Sequence, residues 1–303
     1  MSRDAASRAV VITGASTGIG EACALRLARR GSLVFAGVRR RSDGDALVRQ
    51  AAANLHPIPL DVTDEGSIRA AAQAVRDQLG PATGLAGLVN NAGIALGGPL
   101  ELLPLDAVRR QLEVNVVGLV AATQAFLPLL RRRHATGPGR IVNMGSVSGR
   151  LAAPFAASYA ASKFALEALS DSLRVELRPW GIHVALIEPG RIATPIWEKS
   201  ITAAEEQLAH ADPSALERYR PSLERVRAYM RRLGSNGLPP ERVAAAVEHA
   251  LTAPRPRTRY LVGRDAWAQA LVARFIPDRL RDALIARVLD LPRGPGNATA
   301  RVG

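Results

Sequence analysis

The fold is decided by the stretch Arg8-Ala-Val-Val-Ile-Thr-Gly-Ala-Ser-Thr-Gly-Ile-Gly20. It opens with a short apolar run, which is typical of a buried strand, and it closes in a cluster of three glycines. A helical pattern over residues 21–30 stops at Gly31, and a second apolar run covers residues 33–38. Strand, glycine-rich turn, helix and strand in this order predict a parallel βαβ unit.

The same alternation continues along the chain. Further strands are predicted at residues 56–60, 85–89, 140–143, 182–187 and 259–262, and helices near residues 65–79, 104–130 and 158–178. Short apolar runs separated by helical patterns predict an α/β fold, a Rossmann-type doubly wound parallel sheet of about seven strands with helices on both faces. We expect a single domain whose core covers residues 8–264.

Three segments stand outside this alternation. Residues 191–240 form a long, charged helical excursion between the last two strands, which we interpret as a substrate lid. Residues 265–291 carry apolar side chains at helical spacing among arginines and predict a C-terminal helical extension. The tail 292–303 is rich in glycine, proline and alanine, and we expect it to be flexible.

Composition restricts the class of protein. The single cysteine, Cys23, excludes a disulfide framework and a cysteine-based metal cluster, and the five histidines show no ligand spacing, so we expect no metal. No stretch approaches about 18 apolar residues and residues 1–8 lack the apolar core of a signal peptide, so we expect a soluble cytoplasmic protein without a spanning helix. The formal net charge of +13 leaves contact with an anionic membrane surface open, but the arginines show no nucleic-acid-binding motif.

The glycine cluster suits the phosphates of a dinucleotide. Glycines let the backbone approach a pyrophosphate at the N-terminus of a helix, where free N–H groups and the helix dipole favour anions. The spacing Gly-x-x-x-Gly-x-Gly differs from the more familiar Gly-x-Gly-x-x-Gly, and a glycine-rich turn without a ligand is the alternative. We assign cofactor binding to Gly14, Ser16, Thr17, Gly18, Ile19 and Gly20.

The end of the second predicted strand indicates which dinucleotide is preferred. A carboxylate that binds the ribose 2′-hydroxyl is expected there, yet Val38 is followed by Arg39, Arg40 and Arg41. A guanidinium can hold a 2′-phosphate through two parallel hydrogen bonds. We therefore predict NADP(H), with NAD(H) less favoured, and take Arg39 as the first candidate and Arg40 as the second. The alternative is a solvated arginine run.

A tyrosine and a lysine stand four residues apart in the predicted helix at 158–178. Tyr159 and Lys163 would share one helix face one turn apart, and only Lys163 and Lys199 are lysines among the 40 basic residues. Free tyrosine titrates near pH 10, so a shift to about 7 needs roughly 4 kcal/mol, which a cation about 4 Å away can supply. We expect Lys163 to lower the pKa of Tyr159 for acid–base chemistry, the alternative being an ordinary surface pair.

These motifs together resemble the short-chain dehydrogenase/reductase family over roughly residues 8–200. The shared positions, in the family's order, are Thr13-Gly14-x-x-x-Gly18-x-Gly20, Asn90-Asn91-Ala92-Gly93, Asn115, Ser146, Tyr159-x-x-x-Lys163 and Pro189-Gly190. Gly145-Ser146-Val147, Pro154-Phe155 and Glu198-Lys199 look most like the branch that contains 17β-hydroxysteroid dehydrogenase type 1 and the retinol dehydrogenases.

The resemblance implies roles for individual residues. Tyr159 would be the acid in reduction and the base in oxidation, Ser146 would bind the substrate oxygen, Lys163 would bind the nicotinamide ribose, and Asn115 would hold a water of a proton relay. The cofactor contacts implied in addition are Asp61, Val62, Asn90, Ala92, Gly93, Pro189, Gly190, Ile192 and Thr194. For the motif at 90–93, a purely structural role in a turn is the alternative.

The substrate pocket is expected to be apolar. Candidate lining residues, which could equally be ordinary core, are Leu96, Leu151, Phe155, Ile196, Trp197, Tyr229 and Met230. An apolar pocket under a helical lid suits a lipophilic alcohol or ketone of steroid, retinoid or fatty type. The alternatives are a reductase of 3-ketoacyl-carrier-protein type and a catalytically silent NADP(H)-binding sensor. The resemblance also implies a homo-oligomer paired through helices near 105–130 and 158–178, and the C-terminal extension could cover the pocket, a partner subunit or a membrane.

Overall fold

The computed structural model describes residues 8–51, 53–132 and 137–291. All seven strands within these ranges belong to one parallel sheet in the order β3-β2-β1-β4-β5-β6-β7. Their bounds are β1 Val10–Ile12, β2 Val34–Val38, β3 Leu55–Pro59, β4 Gly87–Asn90, β5 Arg140–Met144, β6 His183–Pro189 and β7 Arg259–Val262. The predicted Rossmann-type sheet is therefore confirmed, whereas the predicted flexible tail 292–303 lies outside the described residues.

The helices flank the sheet or follow it. They are α1 Gly18–Arg29, α2 Arg41–Gln50, α3 Glu65–Leu79, α4 Leu105–Leu112, α5 Gly118–Leu130, α6 Ala157–Glu176, α7 Ile196–Leu208, α8 Pro213–Ser235, α9 Pro240–Thr252, α10 Arg264–Phe275 and α11 Asp278–Val288. The helices α7 and α8 lie in the predicted lid segment, and α10 and α11 form the C-terminal extension.

Two apolar layers hold the helices on the sheet. Val10 and Ile12 of β1 point to the layer formed with α1 and α9, and Val11 points to the opposite layer formed with α3 and α5. This alternation follows from the two-residue period of a strand. Because a parallel sheet is covered on both faces, its strands are continuous apolar runs, which is why they could be read from the sequence.

The predicted helix over residues 104–130 is not uniform. Between α4 and α5 the chain forms one wide π-helical turn at Glu113–Val117. The run Leu105–Leu130 is long and apolar enough to cross a membrane by length and composition, which the sequence analysis did not expect. Its Phe126, Leu129 and Leu130 side chains, however, are buried against the sheet, as in the core helix of a globular protein.

The excursion between β6 and β7 is closed at its base. The backbone N–H of Ala193 donates to the Leu238 carbonyl at 2.9 Å, and the N–H of Leu238 donates to the Arg191 carbonyl at 2.9 Å. These bonds bring the two ends of the excursion together, so α7 and α8 project from the carboxyl edge of the sheet as one unit. Ligands of open α/β sheets bind at this edge.

Candidate active site

One large cavity lies at the carboxyl edge of the sheet, with a volume of about 1110 Å³. Its walls come from the turns after β1, β2, β3, β4, β5 and β6, from α6, from the excursion and from α10. The predicted site residues that line it are Gly14, Ser16, Thr17, Gly18, Ile19, Arg39, Asp61, Val62, Ala92, Gly93, Leu96, Ser146, Phe155, Tyr159, Lys163, Pro189, Gly190, Ile192, Thr194, Ile196, Trp197, Tyr229 and Met230. The cavity thus joins the predicted cofactor, catalytic and substrate residues in one space.

Five predicted site residues do not line this cavity. They are Gly20, Arg40, Asn90, Asn115 and Leu151. Four of them have an evident structural role instead, given below, and Leu151 is a half-buried residue just after the Ser146 turn.

The glycine turn after β1 fits the phosphates of a dinucleotide. Gly14 and Gly18 have φ angles of +64° and +62°, which side chains rarely adopt. A Cβ atom at Gly14 would lie 2.7 Å from Ala92 Cα, and one at Gly20 would lie 2.2 Å from the Gly14 carbonyl oxygen. Gly20 therefore serves close packing inside the turn, and Gly14 lets the turn approach the residues after β4, while Gly14 and Gly18 also line the cavity.

The residue after Asn90 has a role that the sequence analysis missed. The Asn91 amide donates to the carbonyls of Thr13 and Gly14 at 3.0 and 2.9 Å and so ties the β4 end to the glycine turn. Asn90 points the other way, into a buried network in which it donates to Thr123 Oγ1 at 3.0 Å and to Asn143 Oδ1 at 2.9 Å. The Asn90 side chain does not line the cavity, because β4 turns it into the core, so the predicted cofactor contact of Asn90 stays a prediction for its backbone.

The three catalytic candidates of the α6 region meet at the cavity wall. The backbone N–H of Ser148 donates to Ser146 Oγ at 3.1 Å, and the Ser146 side chain lies close enough to Tyr159 to lower the pKa of its phenol. Lys163 is buried, its Nζ donates to the Met144 carbonyl at 2.8 Å, and the same Nζ lies 5.6 Å from the Tyr159 ring centroid. The turn after β5 therefore fixes both the serine and the lysine relative to the tyrosine.

The pKa directions differ from the sequence expectation. Burial raises the pKa of Tyr159, and the Ser146 hydrogen bond only partly opposes this. Burial also lowers the pKa of Lys163 to about 8. The predicted lowering of the Tyr159 pKa is thus contradicted for the protein by itself, because the loss of water around the phenol outweighs a lysine that faces a carbonyl.

Asn115 lies in the π-helical turn and is fully engaged. Its Oδ1 accepts from the Ile94 N–H at 2.9 Å, and its Nδ2 donates to the Ile94 carbonyl at 3.0 Å and to Ser162 Oγ at 3.0 Å. The side chain therefore holds the loop after β4 against α6. Both Nδ2 hydrogens are used by these contacts, and the predicted role of Asn115 in holding a relay water stays a prediction.

The two arginines after β2 have separate environments. Arg39 lines the cavity and has no ion-pair partner in the part of the chain that the structure describes. Arg40 forms an ion pair with Asp43 at 3.1 Å at the start of α2, outside the cavity. This geometry favours Arg39 over Arg40 as the candidate for binding a 2′-phosphate. Asp61 accepts from Thr63 Oγ1 at 2.8 Å and lies in the same wall.

The excursion lies over the apolar end of the cavity. Tyr219 of α8 donates to Glu101 Oε2 at 2.6 Å, and its ring packs edge-on to Phe155 at 6.3 Å. Phe155 has a φ of +63°, an uncommon conformation for a bulky residue that often marks functional sites. The N–H of Gly98 donates to the Phe155 carbonyl at 2.8 Å and supports that conformation.

A buried charge cluster behind the catalytic residues was not expected from the sequence. Arg150, which follows the Ser146 turn, donates two hydrogen bonds, from Nε and Nη2, to the two carboxylate oxygens of the fully buried Glu188 of β6. Glu167, one helical turn after Lys163, faces Glu188 and accepts from Arg259 at 3.0 Å. The cluster joins the Ser146 turn, α6 and the end of β6. The spacing of Tyr159, Lys163 and Glu167 is the one sequence signal that could have found it.

This cluster gives a stability prediction. Burial, and then the Glu188 carboxylate, raise the pKa of Glu167 to about 7. Because the pKa of Glu167 is higher in the folded than in the unfolded protein, protonation of Glu167 adds to the free energy of unfolding. This contribution is complete below about pH 4.5 and is lost as the pH rises through about 7. Part of the carboxylate still contacts water, so we expect the free energy of unfolding to fall by on the order of 1 kcal/mol over this pH range.

The measurement is the free energy of unfolding at about pH 5.5 and about pH 8. Glu167→Gln, which mimics the protonated form, should flatten the dependence, whereas Glu65→Gln at an exposed helix ion pair should leave the wild-type slope. An unchanged slope in Glu167→Gln would refute the assignment.

Comparison with known proteins agrees with this site. A family model described as short chain dehydrogenase matches residues 8–205. Human retinol dehydrogenase 5 is 40% identical over 294 residues, covering 93% of this chain and 89% of that protein. Human 17-beta-hydroxysteroid dehydrogenase type 1 is 39% identical over 300 residues, covering 96% of this chain and 84% of that protein.

A solved structure agrees as well. A short chain dehydrogenase/reductase from Burkholderia phymatum in complex with NAD has a TM-score of 0.74 and 26% identity, covering 88% of this chain and 92% of its own. The resemblance stated from the motifs is thereby confirmed. The chain belongs to the short chain dehydrogenase family, is related to retinol and hydroxysteroid dehydrogenases, and is an oxidoreductase that uses a nicotinamide cofactor.

Proposed function

We propose that the protein interconverts a lipophilic alcohol and its carbonyl compound with NADP(H). The observation that carries this proposal is the single cavity in which the hydroxyls of Ser146 and Tyr159 stand beside Lys163, between the glycine turn and an apolar wall. The cofactor supplies or accepts the hydride at the carbon. The protein supplies orientation and the proton.

Each catalytic residue has one task in reduction. Tyr159 donates the proton of its hydroxyl to the substrate oxygen as the carbon receives the hydride. Ser146 stabilises the charge that develops on that oxygen, and the Ser148 N–H occupies one lone pair of Ser146 Oγ, which leaves the hydroxyl hydrogen free to turn toward Tyr159 or substrate. Oxidation reverses these transfers, and a phenolate is then needed.

Lys163 and the cofactor together suit this proton transfer. Protein burial alone holds Tyr159 protonated, which matches the acid role. An adjacent positive charge of the oxidised nicotinamide would favour the phenolate, which matches the base role. Lys163, with its pKa of about 8, is placed to contact the ribose and to exchange protons near neutral pH.

The cofactor preference rests on Arg39. In the described part of the chain its guanidinium has no ion-pair partner and lines the cavity at the end of β2. A 2′-phosphate there would gain two charge-assisted hydrogen bonds. We therefore propose NADP(H) rather than NAD(H).

The substrate class rests on the wall that the excursion contributes. Ile196, Trp197 and Met230 of the excursion line the cavity together with Leu96 and Phe155. Burying a steroid, retinoid or fatty chain there removes apolar surface from water at roughly 25 cal/mol per Å². The names of two relatives, a retinol and a 17-beta-hydroxysteroid dehydrogenase, are in line with such substrates.

A substrate panel tests this class. We expect kcat/KM with NADPH to be at least about 100-fold higher for steroid, retinoid and long-chain carbonyl compounds than for acetone or pyruvate, because about 3 kcal/mol of apolar burial is lost with the small ones. Equal rates for both groups would reject a lipophilic substrate, and no NADPH turnover with any member would favour a sensor protein.

We also propose a homo-oligomer paired through α4–α5 and α6. These helices expose Leu105, Val117, Phe164 and Val175, which a partner copy would cover. Light scattering should give the mass of two or four chains, and the mass of one chain would exclude it.

The protein is proposed to act from the cytoplasmic aqueous phase.

A further inference from the structure

The C-terminal extension carries a long apolar stripe that faces outward. Trp267, Leu271 and Phe275 follow one another every four residues on α10 and are 54–68% exposed. Leu280, Leu284 and Val288 repeat the pattern on α11, which buries none of its own residues. At this spacing the three side chains of each helix share one face. Six large apolar side chains are thus presented to the outside by two adjoining helices.

Other positions of the same elements face inward. Ala268 and Gln269 of α10, and Leu289 just after α11, line the active-site cavity. The extension is therefore the wall between that cavity and the outer stripe, and whatever covers the stripe lies next to the substrate.

A second cavity of about 780 Å³ begins at Trp267, at the end of the stripe. Four arginines line it, namely Arg191, Arg242, Arg257 and Arg264. Asp265 is the one acidic residue that lines this cavity. Its carboxylate already accepts from the backbone N–H of Arg191 at 2.7 Å and forms an ion pair with the Arg191 guanidinium at 3.4 Å. Within the described ranges Arg242, Arg257 and Arg264 form no ion pair, so this cavity holds uncompensated positive charge.

These two features call for a ligand with an anionic and an apolar part. Guanidinium groups match the geometry of phosphate oxygens, and tryptophan favours the boundary between lipid headgroups and acyl chains. Helices with an apolar face and flanking arginines lie in the plane of that boundary. A second copy of the chain fits less well, because a symmetric pairing would set the face against itself and bring the arginine clusters of both copies together.

We propose that this face docks on a bilayer containing anionic phospholipid, with headgroup phosphates in the arginine-lined cavity and the stripe in the upper acyl region. The docking follows from the surface alone and does not depend on the proposed reaction. It would set the wall of the active-site cavity against the phase in which lipophilic alcohols and ketones dissolve.

Sedimentation with vesicles tests the docking. The full chain should bind vesicles made of equal parts phosphatidylcholine and phosphatidylglycerol, bind phosphatidylcholine alone far more weakly, and release as salt is raised. Arg257→Gln with Arg264→Gln should weaken binding roughly 10- to 30-fold. Arg49→Gln with Arg178→Gln, which removes the same charge from exposed arginines elsewhere, should change it less than about twofold.

Further measurements distinguish the bilayer from a free anion and from a second copy of the chain. Binding should blue-shift tryptophan emission in wild type but not in Trp267→Phe, and thermal melting should show that every variant is folded. Equal loss in both arginine pairs, or equal binding to both vesicle types, would overturn the proposal. Release from the vesicles by inorganic phosphate, but not by chloride at the same ionic strength, would also overturn it, because that result would indicate a site for a free anion. A halved mass by light scattering in Leu271→Gln with Leu284→Gln would likewise overturn it in favour of a second copy.

Discussion

Replacing Tyr159 by phenylalanine is expected to lower kcat by a factor of about 1000 or more while the Kd for NADPH changes less than about threefold. The substitution keeps the ring against the cavity wall and removes only the hydroxyl that meets Ser146. Because the same hydroxyl provides the proton, both directions of the reaction are lost together.

The matched control is Tyr260→Phe, which removes a hydroxyl from β7 outside the active-site cavity. That hydroxyl lies 2.9 Å from His249 Nδ1 and accepts from the Arg257 N–H at 2.9 Å, so its loss should cost about 1 kcal/mol of stability and little turnover. Turnover by Tyr159→Phe at a tenth of the wild-type rate or above, with intact cofactor binding, would remove Tyr159 from the mechanism.

Replacing Arg39 by aspartate is expected to lower kcat/KM for NADPH by roughly 100-fold and to leave that for NADH within a few fold. The loss combines two charge-assisted hydrogen bonds with repulsion between the new carboxylate and the 2′-phosphate. Steady-state kinetics with each cofactor, at one saturating carbonyl substrate, measures the change.

Arg40→Asp is the neighbouring control, since Arg40 lies outside the cavity and is paired with Asp43. It should leave the ratio of the two cofactors near the wild-type value. If the wild type prefers NADH, or if both variants shift the ratio alike, the role of Arg39 is refuted.

Features that depend on local sequence could be predicted. The seven strands follow from apolar runs because each is covered on both faces of a parallel sheet. The glycine turn follows from Gly14 and Gly18, whose backbone angles require glycine. Tyr159 and Lys163 share a face because four residues make about one helical turn.

Side-chain direction could not be predicted in the same way. Asn90 and Ala92 stand two residues apart, yet Asn90 enters the core and Ala92 lines the cavity, because Asn90 is the last residue of β4 and the residues after it have left the sheet. Arg39 and Arg40 differ likewise, as α2 begins between Arg40 and Asp43. The Tyr159 pKa was predicted in the wrong direction since spacing reports the nearby cation but not the lost water.

The remaining misses come from residues far apart in the chain. Arg150, Glu167, Glu188 and Arg259 meet only after β5, β6, β7 and α6 have assembled. Apart from the four-residue step from Lys163 to Glu167, their types and local spacing do not indicate that they meet.

The most direct test of the account follows the hydride itself. NADPH carrying deuterium at both hydrogen positions of the reactive carbon of the nicotinamide is mixed with the enzyme and the best lipophilic carbonyl compound of the panel, and the product alcohol is examined by mass spectrometry. We expect one deuterium on the carbinol carbon with the wild type and no labelled alcohol above background with Tyr159→Phe. Unlabelled alcohol from the wild type, or equal labelling by both proteins, would contradict it.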